Sequence, residues 1–274
     1  MYDILIRSNP ELAALLKETE EVCSYLWYKG WAERNAGNIS VRLDTLRIPE
    51  NDPAIPCFSL PVSFPSLAGQ CFFITGTGRR MRDIQKGIQS NTLIIRIHES
   101  GQSWCALSHS AGSLGALRPS SELISHLMIH RHLITNRSGL KAVVHTHPNA
   151  IIALSHMPLF RDPELFRRVI WSMQPEAVVF LPEGAGLVPY EQTGGEALGG
   201  ATLKALESHR VVVWEKHGCL AVAEDPGAAF DLIDLVDKSA DIYLRCRSAG
   251  IEPAGLSDQQ MKSLRESFHK NTSL

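Results

Sequence analysis

The segment Lys141-Ala-Val-Val-His-Thr-His-Pro148 constrains the fold more than any other stretch of the chain. Ala142 to Val144 is a short β-favouring run, and side chains along a strand alternate faces with a period of two. His145 and His147 therefore share a face, with Thr146 pointing the other way. Pro148 disfavours the α region for His147, so the chain stays extended to the end of the pair. A helix from Asn149 to about His156 follows. Two imidazoles on one rigid strand end can supply two of the three protein ligands of a catalytic zinc and leave a coordination position open. The same spacing also suits a half-exposed strand whose histidines hold no metal.

Strand and helix signals alternate on both sides of this segment. Leu12, Leu15, Leu16, Thr19, Val22, Cys23 and Leu26 recur at helical spacing. Asn9 is the expected N-cap of that helix, with Pro10 at its first position and Gly30 near its end. Asn38 to Leu43 alternates like a strand, whereas residues 44–70 contain Pro49, Pro53, Pro56, Pro61 and Pro65 and read as a long irregular excursion. Strands are expected at Cys71–Thr75, Asn91–His98 and Ser103–Leu107, the last two joined by a turn at Glu99–Gln102. Pro119-Ser-Ser-Glu122 opens a helix to about Thr135, with Ser120 as N-cap and Glu122 in the first turn, where a carboxylate suits the helix dipole.

Beyond the histidine strand, Asp162 to about Met173 predicts a helix and Ala177–Leu181 a strand. Gly184-Ala-Gly186 reads as a turn and Glu191–Glu207 as a helix despite its glycines. Arg210–Trp214 and Cys219–Ala223 are strands about a turn at Glu215-Lys-His-Gly218. Asp225 caps a long helix that starts at Pro226 and ends at Gly250, and Ser257–His269 forms a terminal helix. No repeat or linker interrupts the pattern, so residues 1–274 are read as a single α/β domain.

Charge and cysteine usage exclude several function classes. A formal net charge of −2 leaves no electrostatic footprint for nucleic acid or an anionic membrane. No run approaches the roughly 20 apolar residues of a membrane span, and Asp3, Arg7 and Glu11 interrupt the N-terminus too early for a signal peptide. Cys23, Cys57, Cys71, Cys105, Cys219 and Cys246 are scattered without a C-x-x-C pair, which suits reduced thiols in a cytoplasm.

A third metal ligand is available in His217, in the turn between Trp214 and Cys219. Taken alone it is equally an ordinary surface histidine before glycine; with His145 and His147 it completes a three-imidazole set. A rival set, Glu122, His126 and His130, shares one helix face but lacks the base between the histidines that a metalloprotease helix carries. His126 and His130 are therefore read as packing or capping residues. Three small polar loops, Asn35-Ala-Gly-Asn38, Gly76-Thr-Gly78 and Ser120-Ser121, offer N–H and hydroxyl donors to an anion. Each is also an ordinary turn; they form a phosphate cradle only if they converge.

Arg34-Asn-Ala-Gly-Asn-Ile-Ser40, Thr75-Gly-Thr-Gly78, Pro119-Ser-Ser-Glu122, His145-Thr-His147 and His217-Gly218 together resemble the class II sugar-phosphate aldolase/epimerase family, in the same order. The resemblance extends from Leu26 to the long helix before Gly250 and is poor outside those bounds. Ala36 stands where a related enzyme has glycine and Ser120 where it has threonine; both keep the proposed donors. The excursion at 44–70 and the strand pair near 91–107 are similar to the family's rhamnulose-phosphate branch rather than its fuculose-phosphate or ribulose-phosphate branches.

What the resemblance implies is specific. The fold would be a central, mostly antiparallel sheet with helices on both faces. One zinc ion per subunit would sit on His145, His147 and His217, with Glu122 as catalytic acid/base. Asn35, Gly37, Asn38, Thr77, Gly78, Ser120 and Ser121 would bind the phosphate of a sugar-phosphate substrate. Members are homotetramers with active sites at subunit interfaces, and Glu176 matches a catalytic glutamate lent by the neighbouring subunit. Cleavage of a ketose phosphate between C3 and C4 leaves an enediolate, for which a metal is the electron sink and a carboxylate the proton carrier. Adducin-like modules of the same fold lack the three histidines that this chain retains.

Overall fold

Side-chain caps start three of the longer helices close to where the sequence places them. Asn9 Oδ1 accepts the Leu12 N–H at 3.0 Å ahead of the helix Pro10–Tyr28. Asp162 Oδ1 accepts the Leu165 N–H at 3.0 Å ahead of Pro163–Ser172. Asp225 Oδ1 accepts the Ala228 N–H at 2.7 Å at the start of Pro226–Ser248. Each cap satisfies a donor that the helix cannot, and the proline beside it gives up an N–H with no partner of its own. The computed structural model describes residues 2–46, 55–137, 139–193 and 195–271, and side chains as far as Phe268. Pro49, Pro53 and Gly194 lie outside the described residues.

By their contacts the residues group into two units, Met1–Thr146 with Val222–Ala229, and His147–Ala221 with Phe230–Leu274. The first unit contains β1 (Asn38–Arg42), β2 (Cys57–Ser59), β3 (Cys71–Thr75), β4 (Thr92–Ile97), β5 (Ser103–Ala106) and β6 (Ala142–Thr146). They run antiparallel in the order β2-β5-β4-β3-β1-β6. Every residue of β3 and β4 is buried, so both faces of the sheet are covered. Phe72, Ile74, Leu93 and Ile95 share one core with Leu123 and Leu127 of the helix Leu123–Asn136. On the alternate face, Tyr2 of the helix Tyr2–Ser8 reaches Thr92, their oxygens 2.8 Å apart. Losing one of the buried phenylalanine rings, Phe72 or Phe73, would cost about 3–5 kcal/mol.

In the second unit, β7 (Ala185–Val188) runs parallel to β8 (Val211–Trp214), and β8 antiparallel to β9 (Gly218–Ala223). The end of β9 belongs with the first unit, where the Lys141 N–H bonds the Ala223 carbonyl at 2.8 Å. Among the described pairings of the two units only β7–β8 is parallel, in keeping with the mostly antiparallel sheet expected.

Several local expectations change. Ala177–Leu181 is not a strand: Pro175–Phe180 is helical, because Pro175 begins a turn that the following apolar residues bury rather than extend. The strand lies instead where a turn was expected, at Ala185–Val188. Gly186 fits there because a Cβ would come within 2.9 Å of Ala205 Cβ on the helix Glu196–Leu206. That helix is shorter at its start than the expected Glu191–Glu207. The excursion at 44–70 is not wholly irregular, since it contains β2 and a 3-10 turn at Pro65–Leu67. Ser120 is not the N-cap; the helix begins at Leu123 with Glu122 at the cap position, and Ser120 Oγ accepts the Glu122 N–H at 3.2 Å. Short helices form in addition at Met81–Ile84, Ile88–Asn91 and Ala111–Leu114, beyond the elements that the sequence pattern predicts. The reading of all six cysteines as thiols is corrected as well: Cys57 and Cys105, directly opposed in the β2–β5 ladder, form a disulfide.

Candidate functional site

His145 is buried near the end of β6, opposite Asn38 in the β1–β6 ladder. Thr146 points the other way, its hydroxyl donating to the Trp31 carbonyl at 2.7 Å. His147 follows the strand and is half-buried. Pro148 caps the helix Asn149–Ser155, whose Ala150 and Ile151 N–H groups donate to Asp237 Oδ1 at 3.1 and 3.3 Å. The second histidine is therefore held between a strand end and an anchored helix start.

His217 sits in the tight β8–β9 turn, its N–H bonded to the Trp214 carbonyl at 3.1 Å. The turn needs a left-handed residue, and Lys216 supplies it with φ 62° while its N–H donates to Ser155 Oγ at 2.8 Å. Trp214 stacks on the His217 imidazole with centroids 5.2 Å apart and planes at 25°. The His147 ring meets His217 edge-on at 4.9 Å. One ring nitrogen from each of His145, His147 and His217 lies within 4.8 Å of the others. Three imidazole nitrogens at this separation suit zinc and its first-row neighbours, so the donor set fits the metal that the resemblance implies. Among the described residues this is the group that could hold a metal.

Glu122 is half-buried and fixed from two directions. Its N–H meets Ser120 Oγ, and its Oε2 accepts a hydrogen bond from Asn38 Nδ2 at 2.9 Å. The three small polar loops do come together within the first unit. Gly76 and Pro119 form a β-bridge, Thr77 N–H donates to the Arg118 carbonyl at 2.9 Å, and Ser120 N–H donates to the Thr75 carbonyl at 2.9 Å. Thr75 Oγ1 accepts the Ile39 N–H at 3.1 Å, tying this rim to the start of β1. Gly37 has φ 81°, and a Cβ there would lie 3.0 Å from the His145 carbonyl oxygen. Asn35, Thr77, Gly78 and Ser121 are exposed, Gly37 is half-buried, and Asn38 and Ser120 are buried. The rim thus presents exposed donors beside a buried, hydrogen-bonded carboxylate partner.

The rival arrangement on the helix Leu123–Asn136 resolves as packing. His126 and His130 are buried, with Ser40 Oγ 2.6 Å from His126 Nδ1 and 2.7 Å from His130 Nε2. His126 Nε2 also bonds Asn38 Oδ1. Burial depresses the imidazolium form of both, His126 to about 4 and His130 well below the ordinary histidine value. In the sequence Ser40 is only the last residue of the Arg34–Ser40 motif, with no role of its own. Helical spacing puts the two histidines on one face, but only the β1 register shows which residue lies between them. Glu176 belongs to the second unit, exposed in the first turn of Pro175–Phe180.

The profile of the class II aldolase and adducin N-terminal domain matches residues 17–244. A rhamnulose-1-phosphate aldolase of Bacteroides thetaiotaomicron is 39% identical over 268 residues, covering 97% of this chain and 98% of that protein. The rhamnulose-1-phosphate aldolase of Listeria welshimeri is 32% identical, covering 94% of this chain and 92% of the relative. Among solved structures, a sugar-phosphate aldolase from Thermotoga maritima superposes with a TM-score of 0.76 at 31% identity, over 89% of this chain and all of the other (100%). With its histidine cluster, its ordered rim and these relatives, the chain belongs to the class II aldolase and adducin family.

Proposed function

We propose that this chain is a metal-dependent aldehyde-lyase that reversibly cleaves L-rhamnulose 1-phosphate into dihydroxyacetone phosphate and L-lactaldehyde, acting in rhamnose catabolism as a single catalytic domain. The observation that carries the reading is the convergence of the His145, His147 and His217 ring nitrogens within 4.8 Å. Similarity to the rhamnulose-1-phosphate aldolases of Bacteroides thetaiotaomicron and Listeria welshimeri supports the choice of substrate.

His145, His147 and His217 would hold a zinc ion, which when bound supplies the positive charge that stabilises an enediolate. The chain's own residues do the rest. Asn35, Gly37, Asn38, Thr77, Gly78, Ser120 and Ser121 bind the phosphate, so binding energy from a non-reacting group orients C3 and C4. Breaking the C3–C4 bond expels the aldehyde and leaves its electron pair on the C2–C3 enediolate. Glu122, held by Asn38, carries the proton that C3 takes up and removes it in the reverse direction. The proposed enzyme is a cytoplasmic homotetramer with active sites at subunit interfaces. Glu176, exposed where a neighbouring copy can meet it, helps take the C4 hydroxyl proton as the C3–C4 bond breaks and returns it to the aldehyde oxygen in the reverse direction.

A coupled assay for dihydroxyacetone phosphate tests this, with rhamnulose 1-phosphate and fuculose 1-phosphate run side by side before and after chelation. Cleavage of the rhamnulose ester, lost on chelation and restored by zinc, is the expected result. Preference for the fuculose ester would reassign the substrate, and full activity in metal-free protein would overturn the mechanism.

A further inference from the structure

Asn38 joins two networks: its Nδ2 donates to Glu122 Oε2 at 2.9 Å, and its Oδ1 is bonded by His126 Nε2. An asparagine amide can be turned over with little change in shape, so its partners decide which end faces Glu122. A carboxylate can only accept, and therefore requires the NH2 end. The oxygen must then find a donor on the other side, and His126 Nε2 is that donor only if it carries the proton. His126 Nδ1 is in that case an acceptor, and it takes the Ser40 hydroxyl proton across 2.6 Å. Ser40 Oγ in turn accepts from His130 Nε2 across 2.7 Å. Every bond in the chain His130, Ser40, His126, Asn38, Glu122 then donates in one direction, ending on the carboxylate. All four residues behind Glu122 are buried, so no water competes for these bonds.

We infer that His126, relayed through Ser40 to His130, is a positioning residue that locks the Asn38 amide with its NH2 toward Glu122 and thereby fixes the carboxylate for proton transfer. The inference rests on the acid/base reading of Glu122. Burial keeps both imidazoles neutral near pH 7, which one-directional donation requires. It gives the helix face carrying His126 and His130 a use that packing alone does not explain: an apolar pair would fill the same space without selecting an amide orientation.

The test compares His126→Phe, His126→Gln and Ser40→Ala with Glu122→Gln, each as metal-loaded full-length protein with metal content and thermal midpoint recorded. His126→Phe should lower kcat by about 10- to 100-fold, the range for lost outer hydrogen-bond partners. His126→Gln, which restores an N–H donor near the Nε2 position, should recover most of that loss. Ser40→Ala, a smaller change less able to disturb folding, should lower kcat with metal content unchanged. Histidine-selective 15N spectra of the unmodified protein should show His126 and His130 as neutral Nε2–H tautomers. Wild-type kcat in both His126→Phe and Ser40→Ala, no rescue by glutamine, or an Nδ1–H tautomer at His126 would overturn the inference. If Glu122→Gln instead keeps full turnover, the acid/base reading fails, while the amide lock is still decided by the tautomers.

Discussion

Asn38 Nδ2 lies 2.9 Å from Glu122 Oε2, and the same asparagine stands opposite His145 in the β1–β6 ladder. One residue therefore ties the proposed proton carrier to the strand that presents a metal ligand. The carboxylate is placed relative to that strand by sheet register, not by a flexible loop. Sites built on strands and helix starts hold their geometry more tightly than sites on loops, and the consequences can be measured.

Gly37 is a sensitive backbone position in the rim. With φ 81° and only 3.0 Å between a built Cβ and the His145 carbonyl, Gly37→Ala combines strain with a close contact. A left-handed non-glycine residue costs about 1–2 kcal/mol, and the contact pushes on the ligand strand itself. The variant should unfold at lower denaturant and show a raised KM for the phosphorylated substrate. An unchanged KM would detach this loop from phosphate binding.

Acid should destabilise the protein through His126. Its folded pKa, about 4, lies below the ordinary 6.5, so the unfolded chain binds the proton more readily between those values. Stability is then fully present above about pH 6.5 and is lost as pH falls toward 4, by up to about 3 kcal/mol. His130 is shifted in the same direction and adds to the effect. Denaturant titrations from pH 7 to pH 5 should show a steeper loss for wild type than for His126→Gln in the same metal state. Parallel curves would remove the buried histidine from the acid response.

The disulfide between Cys57 and Cys105 closes a loop with a sequence separation of 48 residues and pins the short strand β2 to β5. Chain entropy alone assigns such a closure about 4 kcal/mol. Cys57→Ser should lower the thermal midpoint, and dithiothreitol should do the same to wild type but not to the variant. Equal midpoints in all samples would show that the bond does not contribute to stability.

The parts legible in the sequence were those with a local physical cause. Alternation along β6 placed His145 and turned Thr146 away, and the caps at Asn9 and Asp225, with the helix expected from Asp162, marked helix starts to within a residue. What local rules could not decide depended on partners distant in sequence. Ala177–Leu181 has strand composition but is helical after Pro175, and Gly186 lies in a strand where a helix packs too close for any Cβ. Cys57 and Cys105 become a pair only once β2 and β5 are in register. The line from His130 to Glu122 likewise depends on Ser40, whose place between the two imidazoles is set by the β1 register rather than by sequence spacing.

The most direct measurement of the central claim is the Glu122→Gln variant, with metal stoichiometry and retro-aldol turnover determined on the same sample. Glutamine keeps the size of the side chain and an oxygen for Asn38, and leaves His145, His147 and His217 untouched. The account predicts wild-type metal content with turnover lower by about 100-fold or more, the scale of a lost general acid/base. Turnover near wild type with metal in place would contradict it.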